Sequence, residues 1–470
     1  MKRIFSFVTV VLCLCTSASF GQQTRVSSAP ESKSITFRES RSFQPIGADK
    51  DNLYGCLINH TTYTNISTGF PMTVFKMELD GTLLQKKELK DVGKNCILEA
   101  AFVNEKTIDL LVIQNYDGNL LHVSLDKSNL ERTKEDEYLG YMRAVSPDKS
   151  WVVLNSPNND GNGTTNLYSS DFELIWSKEV SYTGIIDIMA TEDAELVLLG
   201  VNDKEGLYFH IITEDNEEQY FARIDADGIG DLHLVGYKNG CIYAGGLTYH
   251  ASDHKNPKDR VALYDGIYSL IFNTKTQECA IDREKFMSKD IDVILNLKSG
   301  KNAENEEYIN HLPYAGKIAA PDVMALAYHY IPSVIYDGKF IHSGILFFGI
   351  SDDGKIAWKQ VIRRSTVTSF EQFVNQDLFA YNGRACVAFS ANRRSDTSLD
   401  GPQPVENLKI GVNQATLVMV SVDKEGNAKK EVLGGTSNKC LLAPSALNID
   451  NGKRHFFLNL NSKTEVITIE

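Results

Sequence analysis

Apolar and polar residues alternate along most of this chain in runs too short for helices, such as Val74 to Leu79 and Leu207 to Ile212. A period of two predicts strands with one buried face. Tight turns follow these runs at Asp80-Gly81, Asp126-Lys127, Asp171-Phe172 and Asp215-Asn216, spaced by 46, 45 and 44 residues. Between the turns the pattern falls into units of four strands. The first holds Phe43, Leu53 to Ile58, Met72 to Leu79 and Leu83 to Leu89. The second holds Ile97 to Val103, Ile108 to Ile113, Leu120 to Leu125 and Leu130 to Thr133. The third takes Tyr141 to Val145, Trp151 to Leu154, Asn166 to Ser169 and Glu173 to Val180. The fourth takes Ile185 to Ala190, Leu196 to Val201, Leu207 to Ile212 and Glu218 to Ile224. Later turns at Asn273 to Thr276, Asp353-Gly354 and Glu425-Gly426 bound larger units. In the unit from Ile318 to Ile362, Pro332 interrupts the strand pattern, and the link from Phe340 to Leu346 is short for its place. One stretch, about 282–312, departs from alternation: Met287, Ile291, Ile294 and Leu295 recur at helical spacing and predict a small helical insertion.

A period near ~45 residues in an all-β chain predicts a β-propeller, in which four-stranded sheets are set around an axis. One domain over residues 35–470 follows, since a propeller closes this length into one ring. The strand count gives eight blades, with seven as the alternative. The last blade draws Leu441 to Leu447, Arg454 to Leu460 and Thr464 to Ile469 from the C-terminus and lacks a fourth strand. Ile35 to Ser40 can supply it from the other end, which would remove an open sheet edge and close the ring.

Trp176 and Trp358 each stand five residues after a turn aspartate, in Asp171-Phe-Glu-Leu-Ile-Trp176 and Asp353-Gly-Lys-Ile-Ala-Trp358. Aromatics at a fixed place in each blade fill the space between sheets, and packing is the preferred reading over sugar stacking. On these residues the chain resembles the Asp-Gly/Trp repeat propellers of exported bacterial proteins, including families of uncharacterised function. Gln85, Glu131 and Tyr220 stand at the tryptophan offset in the other units, and the resemblance carries no catalytic residues to transfer.

Lys2 and Arg3, the apolar stretch Ile4 to Cys15 and the small residues around Ser19-Phe20-Gly21 read as a signal peptide over 1–21, cleaved near Gly21. A polar, Ser-rich leader over 22–34 is expected to be disordered. No apolar run reaches the ~20 residues of a membrane helix, so a secreted or periplasmic protein without a membrane span is expected. Leu14 stands where a lipoprotein anchor at Cys15 wants a small residue. A net charge of −13 and a pI near 5.3 argue against a nucleic-acid partner, which requires clustered Lys and Arg. Six of the 8 cysteines follow the signal: Cys56, Cys96, Cys241, Cys279, Cys386 and Cys440. Cys56 with Cys96, and Cys386 with Cys440, fit staples between neighbouring blades. Cys241 and Cys279 fall on the second and fourth strands of one blade, beyond disulfide reach. The preferred reading is six buried thiols.

Long links between second and third strands, Asn59 to Pro71, Asn155 to Asn166, Thr248 to Asp265 and Asn392 to Gln414, leave a meander blade on one rim. The same link is short at Asn115 to Asn119 and Asn202 to Gly206. Loops on a rigid scaffold are the usual place for binding residues. Tyr63, Phe70, Asn158, Asp160, Tyr249, His250, His254, Arg260, Arg393 and Arg394 are therefore the ligand-binding candidates. His250 and His254 lack a third ligand in sequence, and no zinc spacing is present. Asn158 to Asn162 and Asp225 to Asp231 carry calcium-type oxygens without the terminal Glu, so turn chemistry is preferred and no metal or cofactor is expected. His329 reads as a packed strand residue. No GxxxxGK[ST], GxSxG or GxGxxG occurs. The expectation is an exported, non-catalytic, monomeric propeller that binds a protein or glycan at one rim. The alternative is a glycoside hydrolase or lyase with two carboxylates about 5 to 10 Å apart across the central channel. A channel lined by apolar or Lys side chains would count against that alternative.

Overall fold

The computed structural model describes residues 24–27, 41–59, 71–92, 96–114, 119–157, 162–202, 206–224, 228–251, 262–295, 312, 314–320, 322–330, 340–368, 376–392, 415–434, 441–442, 447–448, 454–459 and 464–469. The expected signal peptide lies outside them.

The first described strand, β1 (Thr24–Ser27), joins a sheet at the far end of the chain, and seven four-stranded antiparallel meanders follow it. Blade one is β2 (Arg41–Ala48), β3 (Asn52–Asn59), β4 (Met72–Glu78) and β5 (Leu83–Leu89). Blade two is β6 (Cys96–Val103), β7 (Thr107–Gln114), β8 (Asn119–Asp126) and β9 (Arg132–Leu139). Blade three is β10 (Tyr141–Val145), β11 (Trp151–Pro157), β12 (Asn162–Ser169) and β13 (Leu174–Ser181). Blade four is β14 (Ile185–Ala190), β15 (Leu196–Asn202), β16 (Gly206–Ile212) and β17 (Glu217–Ala222). Blade five is β18 (Ile229–Lys238), β19 (Cys241–Ala251), β20 (Ala262–Asn273) and β21 (Cys279–Lys285). Blade six is β22 (Tyr314–Ala320), β23 (Val323–Tyr330), β24 (Phe340–Ile350) and β25 (Ile356–Thr368). Blade seven is β26 (Gln376–Tyr381), β27 (Arg384–Asn392), β28 (Ala415–Val422) and β29 (Ala428–Gly434).

The blade count is thus seven and not the expected eight. The last sheet does not repeat the meander. It combines β1 with β30 (Leu441–Leu442), β31 (Leu447–Asn448), β32 (Arg454–Asn459) and β33 (Thr464–Ile469), five pieces from both chain ends. The single strand expected over Leu441 to Leu447 is two short ones. The strand beside β33 is Thr24–Ser27, inside the leader expected to be disordered, and Ile35 to Ser40 lie outside the described residues. Phe456, Ile467 and Ile469 of this sheet pack with Phe379 and Leu417 of blade seven, while Val466 packs with Leu53 and Phe75 of blade one.

Each of the four evenly spaced turns joins a third to a fourth strand. At Gly81 and Gly354 the backbone is left-handed, with φ of 88° and 78°, which glycine adopts without steric cost. The apolar faces of neighbouring blades meet in successive cores, such as Val197, Phe209, Leu234 and Phe272 between blades four and five. Each such fully buried side chain contributes about 1.5–3 kcal/mol relative to exposure. Trp176 and Trp358 lie on fourth strands and pack toward the next blade, as the sequence implied. The indole Nε1 of Trp176 donates to Ala194 O at 3.4 Å, and Trp358 packs edge-on to Phe347 at 5.0 Å. In blade one Gln85 takes this place, its Nε2 donating to Asn129 O of the next blade at 2.6 Å.

The helical stretch is shorter than expected. Asp282 to Lys285 still belong to β21, because they stay in register with β20, and the only described helix is α1 (Ser288–Ile294). Its Ile291 and Ile294 enter the core between blades five and six, whereas Met287 is exposed. In blade six the supposed link from Phe340 to Leu346 is interior to one long strand, β24. The second-to-third link is 331–339 instead. Cys56, Cys96, Cys241, Cys279 and Cys386 are free thiols, and Cys440 lies outside the described residues.

Candidate functional site

In an antiparallel meander, the turns from first to second and third to fourth strands share one rim. Links from second to third strands and from blade to blade share the other. Of the ten expected positions, Tyr63, Phe70, Asn158, Asp160, His254, Arg260, Arg393 and Arg394 lie outside the described residues. Tyr249 and His250 are not in a loop. They continue β19, opposite Tyr264 and Leu263, because the β19–β20 ladder runs three further pairs past Thr248, to Ala251 opposite Ala262. The Tyr249 N–H donates to Gly228 O at 2.8 Å, and its ring covers Gly230, where a Cβ would lie 2.9 Å from Cδ1. Tyr249 therefore stands beside the start of the innermost strand of blade five.

The wide links on this rim are 60–71, 252–261, 331–339 and 393–414. The link expected over Asn155 to Asn166 shrinks to 158–161, since β11 and β12 pair as far as Pro157 opposite Gly163. The calcium-type runs reduce likewise: Asn162 begins β12, and Asp231 sits in β18.

The first strands of the blades surround the axis, and the structure assembles there a cluster that the sequence reading did not single out. Asp187 on β14 accepts the Lys317 ammonium at 3.0 Å, the Leu234 N–H at 2.8 Å and the Ile188 N–H at 2.8 Å. His233 on β18 lies between two carboxylates, with Nε2 3.0 Å from Asp231 and Nδ1 3.7 Å from Asp187. Its ring stacks on Tyr314 of β22, centroids 3.6 Å apart and 11° from parallel. Burial alone would raise the Asp187 carboxyl; His233 and Lys317 outweigh it and hold the group below its usual range. Burial would lower the His233 imidazole, and Asp187 and Asp231 outweigh that and raise it. Lys317 thus joins blade six to blade four through Asp187.

Below this cluster the channel opens into a cavity of about 410 Å³, lined by apolar residues including Val145, Ile188, Met189 and Leu378, together with Lys317 and Arg454. No described lining residue is a carboxylate. The Arg454 guanidinium lies 3.7 Å over the Phe379 ring and donates Nη2 to Asp377 at 2.6 Å. A second space of about 220 Å³ adjoins it along Pro147, Met189, Ala190, Ala319 and Ala320, and its own lining adds Glu192, Asp193 and Lys238. The carboxylates nearest the axis in blades four and seven are held by Lys317 and Arg454, which is poor provision for a free acid/base pair.

One signal in sequence could have found this set. In blades two to seven the mostly apolar first strand carries a charge at or before its middle: Glu99, Arg143, Asp187, Asp231, Lys317 and Asp377. Bulges interrupt β2, β6, β10, β14, β18 and β22, and re-aim side chains at the axis side of these strands. The β26–β27 ladder has no such shift. Among the described residues no group of three metal-ligating side chains converges, and no helix is long and apolar enough to cross a membrane.

No protein-family model and no curated protein matches the chain. Among solved structures it is similar to the uncharacterised protein lmo1340 of Listeria monocytogenes EGD-e, at 10% identity and a TM-score of 0.37, over 78% of this chain and 93% of that one. It is also similar to the β-propeller domain of the Trilobed protease of Pyrococcus furiosus, at 11% identity and a TM-score of 0.37, over 80% and 95%. A third is a functionally unknown protein of Desulfotomaculum acetoxidans DSM 771, at 9% and 0.37, over 79% and 96%. The propeller assignment rests on this chain's own sheet order.

Proposed function

We propose that this is an exported, non-catalytic and monomeric propeller whose partner, a protein or a glycan, docks on the rim that carries the second-to-third links. The observation that carries this reading is the asymmetry of the two rims. One has tight turns such as Asp80-Gly81 and Asp171-Phe172, whereas the other has the wide links 60–71, 252–261, 331–339 and 393–414. Seven rigid meanders hold these links at fixed spacing, which lowers the entropy lost when a partner spans several of them. Tyr249, fixed against Gly230 beside that rim, supplies a rigid aromatic. The larger cavity has an apolar and basic lining, and the carboxylates of the adjoining space, Glu192 and Asp193, are neighbours on one turn and not a pair facing across the channel, which weighs against the carbohydrate-active alternative.

The test is capture of partners from the native cell envelope, with a glycan array beside it, on wild type and on Tyr249→Ala and Arg393→Ala. A partner held by the wild type and lost about tenfold in affinity by either variant supports the rim. A partner bound equally by both variants removes these positions. Hydrolysis of an array glycan would replace binding with catalysis.

A further inference from the structure

We propose that the docking strip of the rim lies over blades three and four and takes a protein segment whose apolar side chains flank a carboxylate, which rests on the rim docking proposed above. Five of the nine exposed large apolar side chains among the described residues, Leu139, Tyr141, Ile186, Val201 and Phe221, stand within two residues of a strand end on this rim. They run from the close of blade two to the close of blade four, where the second-to-third links are only 115–118, 158–161 and 203–205. The wide links belong to blades one, five, six and seven, so chain length is withheld from the sector that is apolar. Exposed apolar side chains gathered on one face mark an interaction surface, whereas single scattered ones do not.

The strip is continuous. The Arg143 guanidinium lies 5.7 Å over the Tyr141 ring and 4.7 Å over the Tyr182 ring. Tyr208 donates its hydroxyl to the carbonyl of Thr183, next in the chain to Tyr182, at 3.0 Å, and its ring centroid lies 6.3 Å from that of Phe221. Tyrosine and arginine held in this way are the side chains that dominate protein interfaces. Two facts select the occupant. Arg143 is half-buried and has no carboxylate within 4.0 Å among the described residues; its Nη2 donates to Asn155 Oδ1 at 3.2 Å, and its shielded Nε has no acceptor. Two aromatic faces and one amide leave the charge uncompensated, and an incoming carboxylate is its complement. Leu139, Ile186 and Val201 are aliphatic: the hydroxyls of a sugar would lie against them unpaired, whereas apolar side chains of a polypeptide would remove them from water.

The probe is a phage library of random dodecapeptides panned on the full-length mature protein, with the selected peptides then titrated by fluorescence anisotropy. They should carry Asp or Glu beside apolar residues. Arg143→Gln should weaken them about tenfold and Phe221→Ser about fivefold. Leu174→Ser, exposed where β13 begins on the opposite rim, should hold affinity within about twofold. Phe221 is exposed at the end of a fourth strand, so its variant decides the test if Arg143→Gln melts below the wild type. Selected peptides without an acidic residue, or bound equally by Arg143→Gln, would overturn the carboxylate, and recovery of no peptide above background would overturn the polypeptide partner. Two further results would overturn the proposal by assigning the strip elsewhere: an array glycan whose binding is lost in Phe221→Ser, or self-association of the wild type, seen by light scattering, that is lost in Phe221→Ser. Peptide affinity lost in Arg143→Gln and unchanged in Tyr249→Ala would uphold the strip while removing Tyr249 from the wider rim, so the two proposals fail separately.

Discussion

Asp109 shows how single polar residues are retained in the packed blades. It is buried on β7 and accepts from His122 Nε2 at 2.8 Å, Thr107 Oγ1 at 2.6 Å and Asn104 Nδ2 at 2.9 Å. The His122 ring in turn stacks on Phe172 of the next blade at 3.8 Å. Burial alone would raise the Asp109 carboxyl; His122, then Thr107, Ser124 and Asn104, outweigh it and hold the group down. A carboxyl lowered in the folded state contributes stability that is complete above its unfolded value, near ~3.9, and is lost as pH falls through the lower folded value. Asp109→Ala should therefore cost about 3 kcal/mol at pH 7. That difference should shrink below about pH 4, where the wild type loses the same contribution. Urea unfolding of both proteins at several pH values measures it; a difference that does not change with pH would mean that packing and not charge is lost. The strand holding Asp109 was legible from alternation, but its partners were not. His122 sits on the neighbouring strand β8, and Phe172, which stacks on it, sits in the β12–β13 turn of the next blade at a left-handed φ of 60°.

At the scale of the element, the fourth strand of each blade is the surface that meets the next blade. Gly349 on β24 lies opposite Trp358 on β25, and a Cβ at Gly349 would come 2.4 Å from Trp358 Cε2. Gly349→Ala should then destabilise by about 1–3 kcal/mol through overpacking. In a Trp358→Leu background the added methyl should cost under about 0.5 kcal/mol, and a thermal double-mutant cycle reads the coupling. Equal costs in both backgrounds would place the effect in the backbone and not the indole. The shared offset of Trp176 and Trp358 announced this post before any fold was visible, because a repeat places equivalent residues in equivalent surroundings. Strand ends were harder to read. β19 runs on through Tyr249 and His250 because its ladder with β20 continues, a fact of pairing with a segment over a dozen residues away.

For the whole molecule, the join between the two chain ends is the weak point of any ring. Thr24 to Ser27 pair antiparallel with Val466 to Ile469, which covers an edge that β33 would otherwise present to solvent. A protein lacking residues up to Ser27 should melt about 2–4 °C lower and self-associate through that edge, measured by calorimetry and light scattering. Unchanged melting and a monomeric state would show that this pairing does not hold the ring.

The sequence by itself determined that the chain is built from four-stranded repeats of near-constant length, where the turns fall and which aromatics pack between blades. These follow from periods of two and of about ~45 residues, and local patterning records them directly. Only the tertiary structure decided that seven meanders and one composite terminal sheet make up the molecule. The same is true of the gathering of Asp187, His233, Lys317 and Arg454, each from a different strand, around one axis. Charges that are far apart along the chain become neighbours when successive inner strands surround a common channel, and no spacing within one repeat encodes that meeting.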